Sequence, residues 1–315
     1  MAWVTWRQHR PQLLAMAGLV LGVALAALVT DLPIRAAYHR QALASCLPPA
    51  TRSGCDIIVS HFRGEFAGRV AVARWLMVLP GLAGLLVGAP LVAREFEHGT
   101  YRLAWTQSVS RRRWLLSKTS LLALVVVVGA AVLAGVATWW RVPLDAVGGR
   151  MSPGAFDIEG LVVPAYAFFA LGVGVLAGLL LRRTIAAVSV ALAAFVAVRL
   201  GVEKLLRPHF LPPLHRTVTG LTQGQLAPDW ILNNSLVDAV GRQISTSRED
   251  LAILHAQQAG IDPQGYFLSL GWRRVITFQP PGRFWAFQGI EAAIFVVLGL
   301  LAVGLAVTLV RRTPA

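Results

Sequence analysis

Six long apolar segments, separated by charged or proline-containing stretches, restrict this chain to the class of membrane proteins. A helix needs about 20 predominantly apolar residues to cross the hydrocarbon core of a bilayer. The 315 residues are 56% apolar and 14% charged, whereas soluble domains are typically about a quarter charged. We therefore predict an all-α polytopic protein of the cell (plasma) membrane, with six transmembrane helices over residues 12–30, 70–93, 115–140, 161–181, 184–200 and 284–310.

These segments divide the chain into three regions. Residues 1–200 are predicted to hold an N-terminal interfacial helix, over residues 1–11, and transmembrane helices 1–5. Residues 201–283 are predicted to form an extracytoplasmic cap, and residues 284–315 the sixth helix with a cytoplasmic tail. Residues 31–69 are interpreted as a polar loop. Within the cap, the capping-box pattern Ser247-Arg-Glu-Asp250 predicts a short helix that ends near Gly260.

The distribution of positive charge predicts which side of the membrane each end faces. Cytoplasmic loops of membrane proteins are enriched in lysine and arginine. Six spans place both termini on one side, and that side would carry twelve cations against the two acids Glu95 and Glu97. The cations are Arg7, Arg10, Arg94, Arg102, Arg111, Arg112, Arg113, Lys118, Arg182, Arg183, Arg311 and Arg312. Both termini are therefore predicted to be cytoplasmic, and the net charge of +14 is attributed to anionic membrane lipid, with no nucleic-acid partner.

A charged block over residues 94–118, which we call the connector, lies between the second and third spans. Its sequence is REFEHGTYRLAWTQSVSRRRWLLSK. A soluble core would not place such a block between two segments that are each long enough to cross a bilayer. We predict an amphipathic, partly helical cytoplasmic segment that contacts a soluble partner. The alternative is an interfacial helix that binds only lipid.

Two further pairs of residues are candidates for specific roles. Cys46 and Cys55 lie outside the apolar segments, and they form either a disulfide on the oxidising side of the membrane or two unpaired thiols. Arg199 and Glu291 lie in or at the edge of the fifth and sixth spans. Charges within a membrane are costly and usually pair or line a wet cavity. The pair is therefore interpreted as an ion pair that locks two helices, as part of a substrate path, or as side chains that reach the interface.

The sequence offers little support for catalysis within this chain. It contains no HExxH motif and no Walker-type GxxxxGK motif, and none of its histidines lies inside a predicted span. Asp157 and Glu159 are interpreted as a solvated turn rather than as a catalytic pair. We predict a non-catalytic membrane subunit without a metal or cofactor of its own, so any ATP hydrolysis must occur on another polypeptide.

Several motifs resemble those of type-2 ABC exporter permeases. The connector contains Glu95-Phe-Glu97-His-Gly99-Thr100, then Ser108-Val-Ser110-Arg111, then Trp114-Leu-Leu116 and Lys118. This order is similar to the first cytoplasmic loop of that family, although Val109 stands where the family often has proline. The stretch WRQHR at residues 6–10 and the stretch FQPPGRFWAFQGIE at residues 278–291 resemble an actinobacterial branch of these permeases.

The resemblance implies a specific assembly. Two six-span permeases pair, here as a homodimer, and two cytoplasmic ATPases that carry ATP and Mg²⁺ bind beneath them. The helix after the second span, over residues 94–107, docks on the ATPase, and the coupling residues are Glu95, Phe96, Glu97, Gly99, Thr100, Tyr101 and Arg102. A broken helix before the sixth span would correspond to residues 278–287. The substrate would be an amphiphilic drug, antibiotic, peptide or lipid that leaves the cytoplasm or inner leaflet.

Two other functions are compatible with the same pattern. An immunity or sensor protein would bind a ligand at its outer face without transport. An intramembrane enzyme acting on lipid-linked substrates would need clustered acids at the edge of the bilayer, and its candidates are Asp145, Asp157 and Glu159.

Overall fold

The structure, a computed structural model, describes residues 2–47, 54–99, 110–218 and 229–312. Within them, six helical segments are long and apolar enough to cross a membrane. These segments are Leu14–Arg40, Ile57–Glu97, Arg111–Gly148, Val162–Leu181, Thr184–His209 and Pro281–Arg312. The prediction of a helical, polytopic membrane protein is confirmed.

The helices are numbered in chain order. They are α1 Ala2–Arg40, α2 Cys55–Ala73, α3 Val78–Glu97, α4 Arg111–Gly148, α5 Pro153–Phe156, α6 Val162–Leu181, α7 Thr184–Gly201, α8 Thr246–Gln258, α9 Pro263–Ser269 and α10 Phe284–Arg312. The ends of α3, α6 and α10 and the beginnings of α4 and α7 define what we call the connector end of the bundle. The opposite end, from which α7 leads into a small β-sheet, is called the sheet end.

The predicted polar loop over residues 31–69 is wrong, because this stretch is largely helical. The 39 residues of α1 continue without a break from Ala2, where a separate interfacial helix is predicted. At a rise of about 1.5 Å per residue, α1 is roughly 58 Å long and exceeds the thickness of the hydrocarbon core. It packs against α2 and the end of α4 through a separate apolar cluster that includes Ile34, Phe62 and Leu144. Charged side chains on the solvent side of this helical hairpin explain why its sequence resembles a loop.

Close contact between α3 and α6 forms the centre of the bundle. A Cβ atom added to Gly84 would lie 2.3 Å from the carbonyl oxygen of Ala167, and one added to Gly88 would lie 2.4 Å from that of Leu171. There is thus no room for a side chain at either position. Small residues such as glycine allow the backbones of membrane helices to approach this closely. The Gly84-xxx-Gly88 spacing therefore serves a contact within the chain.

The region between the fifth and sixth spans contains a β-sheet that the all-α prediction does not include. Strands β1 Leu214–Val218, β2 Trp230–Val237 and β3 Arg273–Gln279 form an antiparallel sheet in the order β1-β3-β2. The helix α8 occupies the stretch where the capping box predicts one, and Gly260 follows it with a φ of 67°.

The buried Gln279 at the end of β3 ties the sheet to the membrane helices. Its side-chain amide donates hydrogen bonds to the carbonyl oxygens of Pro208 and Leu211, at 3.3 and 2.8 Å. The broken helix predicted over residues 278–287 is not present, because β3 extends to Gln279 and Pro281–Arg283 form a single 3₁₀ turn before α10. Phe278 lies in the strand, where its side chain is buried.

Candidate functional site

The last turn of α3 holds three of the residues predicted to couple the chain to an ATPase, namely Glu95, Phe96 and Glu97. This helix ends at Glu97, and Gly99 follows with a φ of 70°. A left-handed residue at this position is a common way to end a helix, and glycine adopts it without steric cost. The helix predicted over residues 94–107 therefore does not continue from α3 through Gly99. Thr100, Tyr101 and Arg102 lie outside the described residues.

Glu97 caps the beginning of α7 from a neighbouring helix. The backbone amide of Thr184 donates to Oε1 of Glu97 at 2.8 Å, and the Thr184 hydroxyl donates to Oε2 at 2.6 Å. The first N–H groups of a helix have no partner within it, and a carboxylate there is also favoured by the helix dipole. Arg183, at the N-cap position itself, provides no side-chain cap.

Glu95 makes an ion pair with Lys118 of α4. Lys118 is buried, with 7% of its surface exposed, and its ammonium group also lies 4.9 Å from the ring centre of Trp114. Between the two acids, Phe96 is half-buried, and the guanidinium group of Arg182 stacks over its ring at 5.1 Å. The end of α3 is thereby connected to the beginnings of α4 and α7 and to the turn between α6 and α7.

A second group of charges is buried at the sheet end and centres on Arg207. This guanidinium group donates from Nε to Oε2 of Glu291 and from Nη2 to Oε1, each at 2.7 Å. Nη2 also lies 2.7 Å from Oδ1 of Asp157. Only 1% of the surface of Arg207 and none of that of Glu291 is exposed. Two carboxylates and one bidentate guanidinium therefore join α10, the end of α7 and the segment after α4.

Arg199 completes this group, which we call the arginine network. Its Nη2 atom lies 2.9 Å from Oδ2 of Asp157, and its Nη1 atom lies 3.8 Å from Oε1 of Glu291. The Tyr166 hydroxyl accepts a hydrogen bond from Arg199 at 3.2 Å and donates one to Glu291. Two arginines thus balance two carboxylates, and the two residues singled out in the sequence lie together in one ion-paired cluster.

The prediction of a solvated turn at Asp157 and Glu159 is wrong. Both residues are buried, with 2% and 0% of their surface exposed. Glu159 accepts hydrogen bonds from Arg141 at 2.7 Å and from Arg150 at 3.0 Å, and Arg141 also binds Asp145 at 2.7 Å. Burial is the largest influence on Asp157 and raises the pKa of its carboxyl group, whereas the neighbouring arginines act in the opposite direction.

Arg207 is the central residue of the arginine network, and the sequence analysis did not single it out. It follows α7 by way of a π-helical turn, Val202–Leu206, and lies in the 3₁₀ turn Arg207–His209. Eight residues separate Arg199 from Arg207, which is about 2.2 turns of a regular α-helix and would point the two side chains apart. The wider π turn changes this phase and allows both arginines to contact Asp157. The spacing of the two arginines therefore predicts a shared partner only if the π-helical turn between them is known.

Cys46, in the 3₁₀ turn Leu43–Cys46 that follows α1, forms a disulfide with Cys55, the first residue of α2, and their Cα atoms are 5.4 Å apart. They are the only cysteines of the sequence. Among the described residues, no group of three or more histidine, cysteine, aspartate or glutamate side chains could hold a metal ion.

An apolar groove of about 670 Å³ opens between α1 and α4. Its lining includes Met16, Val20 and Leu124, and every lining residue is apolar. A groove of this kind can accept a hydrocarbon chain but offers no side chain that would recognise a polar group.

Taken together, the six apolar helical segments define a multi-pass helical membrane protein. Residues 17–207 match the family described as ABC-2 membrane transporter related. This match covers more than half of the chain, which therefore belongs to that family. A comparison with curated proteins finds no match.

Proposed function

We propose that this chain is the membrane-spanning subunit of an ATP-driven exporter that is powered by a separate ATPase. The observation that carries this proposal is the family match over residues 17–207, which includes the connector and nearly all of the first five spans. The contacts of the connector support it, because Glu95 and Glu97 link the end of α3 to α4 and α7. A force applied to the connector by a soluble partner would therefore reach the bundle.

The proposed orientation places the connector end in the cytoplasm. The positively charged loops of membrane proteins are generally cytoplasmic, and the connector, the turn at Arg182 and Arg183 and the last residues of α10 all lie at this end. The disulfide lies at the opposite end, and disulfides form and persist in oxidising compartments. The sheet, α8 and α9 would then form the extracytoplasmic cap.

The proposed partners are an ATPase dimer and a second copy of this chain. We assign the contact with the ATPase to the stretch that contains Thr100, Tyr101 and Arg102. The apolar groove between α1 and α4 supports an amphiphilic substrate, because it can hold the apolar part of such a molecule. For Arg199 and Glu291 we favour the role of a lock between helices, since both are occupied by ion pairs within the chain.

The geometry does not favour an intramembrane enzyme. A general acid or base must be within reach of a substrate proton. The candidate acids are instead held by arginines at 2.7 to 3.0 Å, and two of them are buried while the third is half-buried: Asp157, Glu159 and Asp145, respectively. We therefore propose that this chain performs no catalysis and that ATP and Mg²⁺ bind the partner.

Purification of the tagged chain from its native membranes tests the proposal. We expect an ATPase with Walker motifs to co-elute, identified by mass spectrometry, together with ATP hydrolysis in the eluate. Arg102→Glu should remove both, whereas the matched control Arg248→Glu, at an exposed arginine of the cap, should retain them. Purification of the intact chain without any ATPase would contradict the proposal.

A further inference from the structure

We propose that Glu95 and Glu97 are positioning residues that fasten the end of α3 to α4 and α7, and that they do not themselves dock on the ATPase. This inference rests on the proposed function and divides its coupling residues into two groups. The first group acts inside the chain. The second group, Thr100 to Arg102, is the stretch to which the proposed function assigns the contact with the partner.

The hydrogen bonds of Glu97 carry the first part of the argument. Each of its carboxylate oxygens accepts one hydrogen bond from Thr184, the first residue of α7. A carboxylate that caps a helix in this way would have to give up these bonds to pair with a cation on another protein. Its removal would leave the first turn of α7 without a side-chain cap, since Arg183 supplies none.

The ion pair of Glu95 carries the second part. Its partner Lys118 is buried in the third turn of α4, among the apolar core residues that include Trp114 and Leu122. An unpaired ammonium group in this position would be strongly unfavourable. Glu95 is therefore committed to α4 and is not available to a partner protein.

The opposite ends of α4 and α7 contact the buried charges at the sheet end. The end of α4 carries Arg141, which binds the buried Glu159. The end of α7 carries Arg199, and its extension carries Arg207. A displacement of the last turn of α3 would thus be transmitted along two helices to both groups of buried charges at the sheet end. Glu95 and Glu97, two positions apart in one helical turn, thus link α3 to the beginnings of both helices.

Spin labels on the permease alone test the fastening. Both native cysteines form the disulfide, so labels can be placed at Arg94→Cys in the last turn of α3 and at Ile185→Cys in the first turn of α7. Both positions are exposed. We expect Glu97→Ala to widen the distribution of distances between the two labels at least twofold. Thr184→Val, which removes the hydroxyl and keeps the amide, should widen it by a smaller factor.

Binding of the ATPase provides the second measurement. Glu97→Ala and Thr184→Val should bind it with an affinity within twofold of the unmodified chain, whereas Arg102→Glu should weaken binding at least tenfold and leave the label distances unchanged. An unchanged distance distribution in Glu97→Ala and Thr184→Val, or a tenfold loss of ATPase binding in Glu97→Ala, would overturn the inference. If no ATPase binds any variant, the proposed function fails, while the label distances still decide the positioning role.

Discussion

Arg207 and Glu291 lie 84 residues apart in the sequence, yet the guanidinium group of one contacts both carboxylate oxygens of the other at 2.7 Å. This bidentate pair joins the 3₁₀ turn after α7 to α10 in a site from which nearly all solvent is excluded. Bidentate arginine–carboxylate pairs combine charge with a fixed geometry. The pair therefore determines how the fifth and sixth spans meet at the sheet end.

Removal of one partner of this pair should destabilise the protein strongly. Arg207→Met removes one of the guanidinium partners of the buried Glu291 carboxylate. Breaking a buried ion pair in this way lowers the free energy of unfolding by about 3–5 kcal/mol. We expect a clear decrease in the midpoint of thermal unfolding, measured in detergent by circular dichroism.

The pair of Glu203 and Lys204, in which the lysine side chain is largely exposed, provides the control for this variant. Its two side chains lie 2.9 Å apart, but 68% of the Lys204 side chain is exposed. Exposed ion pairs contribute about 0–1 kcal/mol, so Lys204→Met should leave the unfolding midpoint almost unchanged. Equal effects of the two substitutions would show that the buried network does not stabilise the fold.

The pair of Glu95 and Lys118 should respond differently to single and double substitution. Glu95→Gln leaves Lys118 buried without a carboxylate and should lower the free energy of unfolding by about 1–3 kcal/mol. Adding Lys118→Met removes the orphaned charge and should restore most of this loss. A double variant that is less stable than Glu95→Gln, in the same thermal unfolding measurement, would contradict the assigned ion pair.

Close packing of α3 on α6 predicts that two glycines respond differently to replacement by alanine. A Cβ atom at Gly88 would lie 2.4 Å from the carbonyl oxygen of Leu171, whereas nothing lies within 4 Å of one at Gly135. Overpacking of a well-packed interior costs about 1–3 kcal/mol. Gly88→Ala should therefore lower the unfolding midpoint, and Gly135→Ala in α4 should preserve or raise it. The reverse order would mean that α3 and α6 are not in contact.

The disulfide should contribute to the stability of the α1–α2 hairpin. Cys46 and Cys55 are separated by nine positions, and closing a loop of this length stabilises a fold by about 2–3 kcal/mol on the chain-entropy scale. Replacement of both cysteines by serine should accelerate proteolysis between α1 and α2 under native conditions. An unchanged cleavage rate, with the protease shown to cut the unfolded chain there, would argue against this contribution.

The apolar spans could be predicted because each is a local property of the sequence. The hairpin of α1 and α2 could not, because its helices extend beyond the apolar stretch and carry pairs such as Asp31 and Arg35, whose side chains meet at 2.6 Å only once the helix has formed. The strands were missed for a related reason. Polar residues such as His215 and Thr217 alternate with few apolar ones in β1, and the strand is almost entirely exposed.

The site shows the same division between local and distant information. Glu291 and Arg199 are visible in the sequence because a charge inside an apolar span is rare. Asp157 lies in a stretch whose sequence resembles a loop, and its charge is balanced by Arg199 and Arg207, which lie at least 42 positions away by their sequence numbers. The role of Glu97 as a cap for α7 likewise depends on a contact across 87 positions, which no local pattern in the sequence could reveal.

The side of the membrane that the connector faces is the central claim, and labelling of single cysteines in intact cells tests it most directly. Ser110→Cys lies at the beginning of α4, and Arg248→Cys lies in α8 of the cap. A membrane-impermeant maleimide should modify Arg248→Cys in intact cells and Ser110→Cys only after the membrane is opened. Modification of Ser110→Cys from the exterior of intact cells would contradict a cytoplasmic connector and, with it, a motor bound beneath this protein.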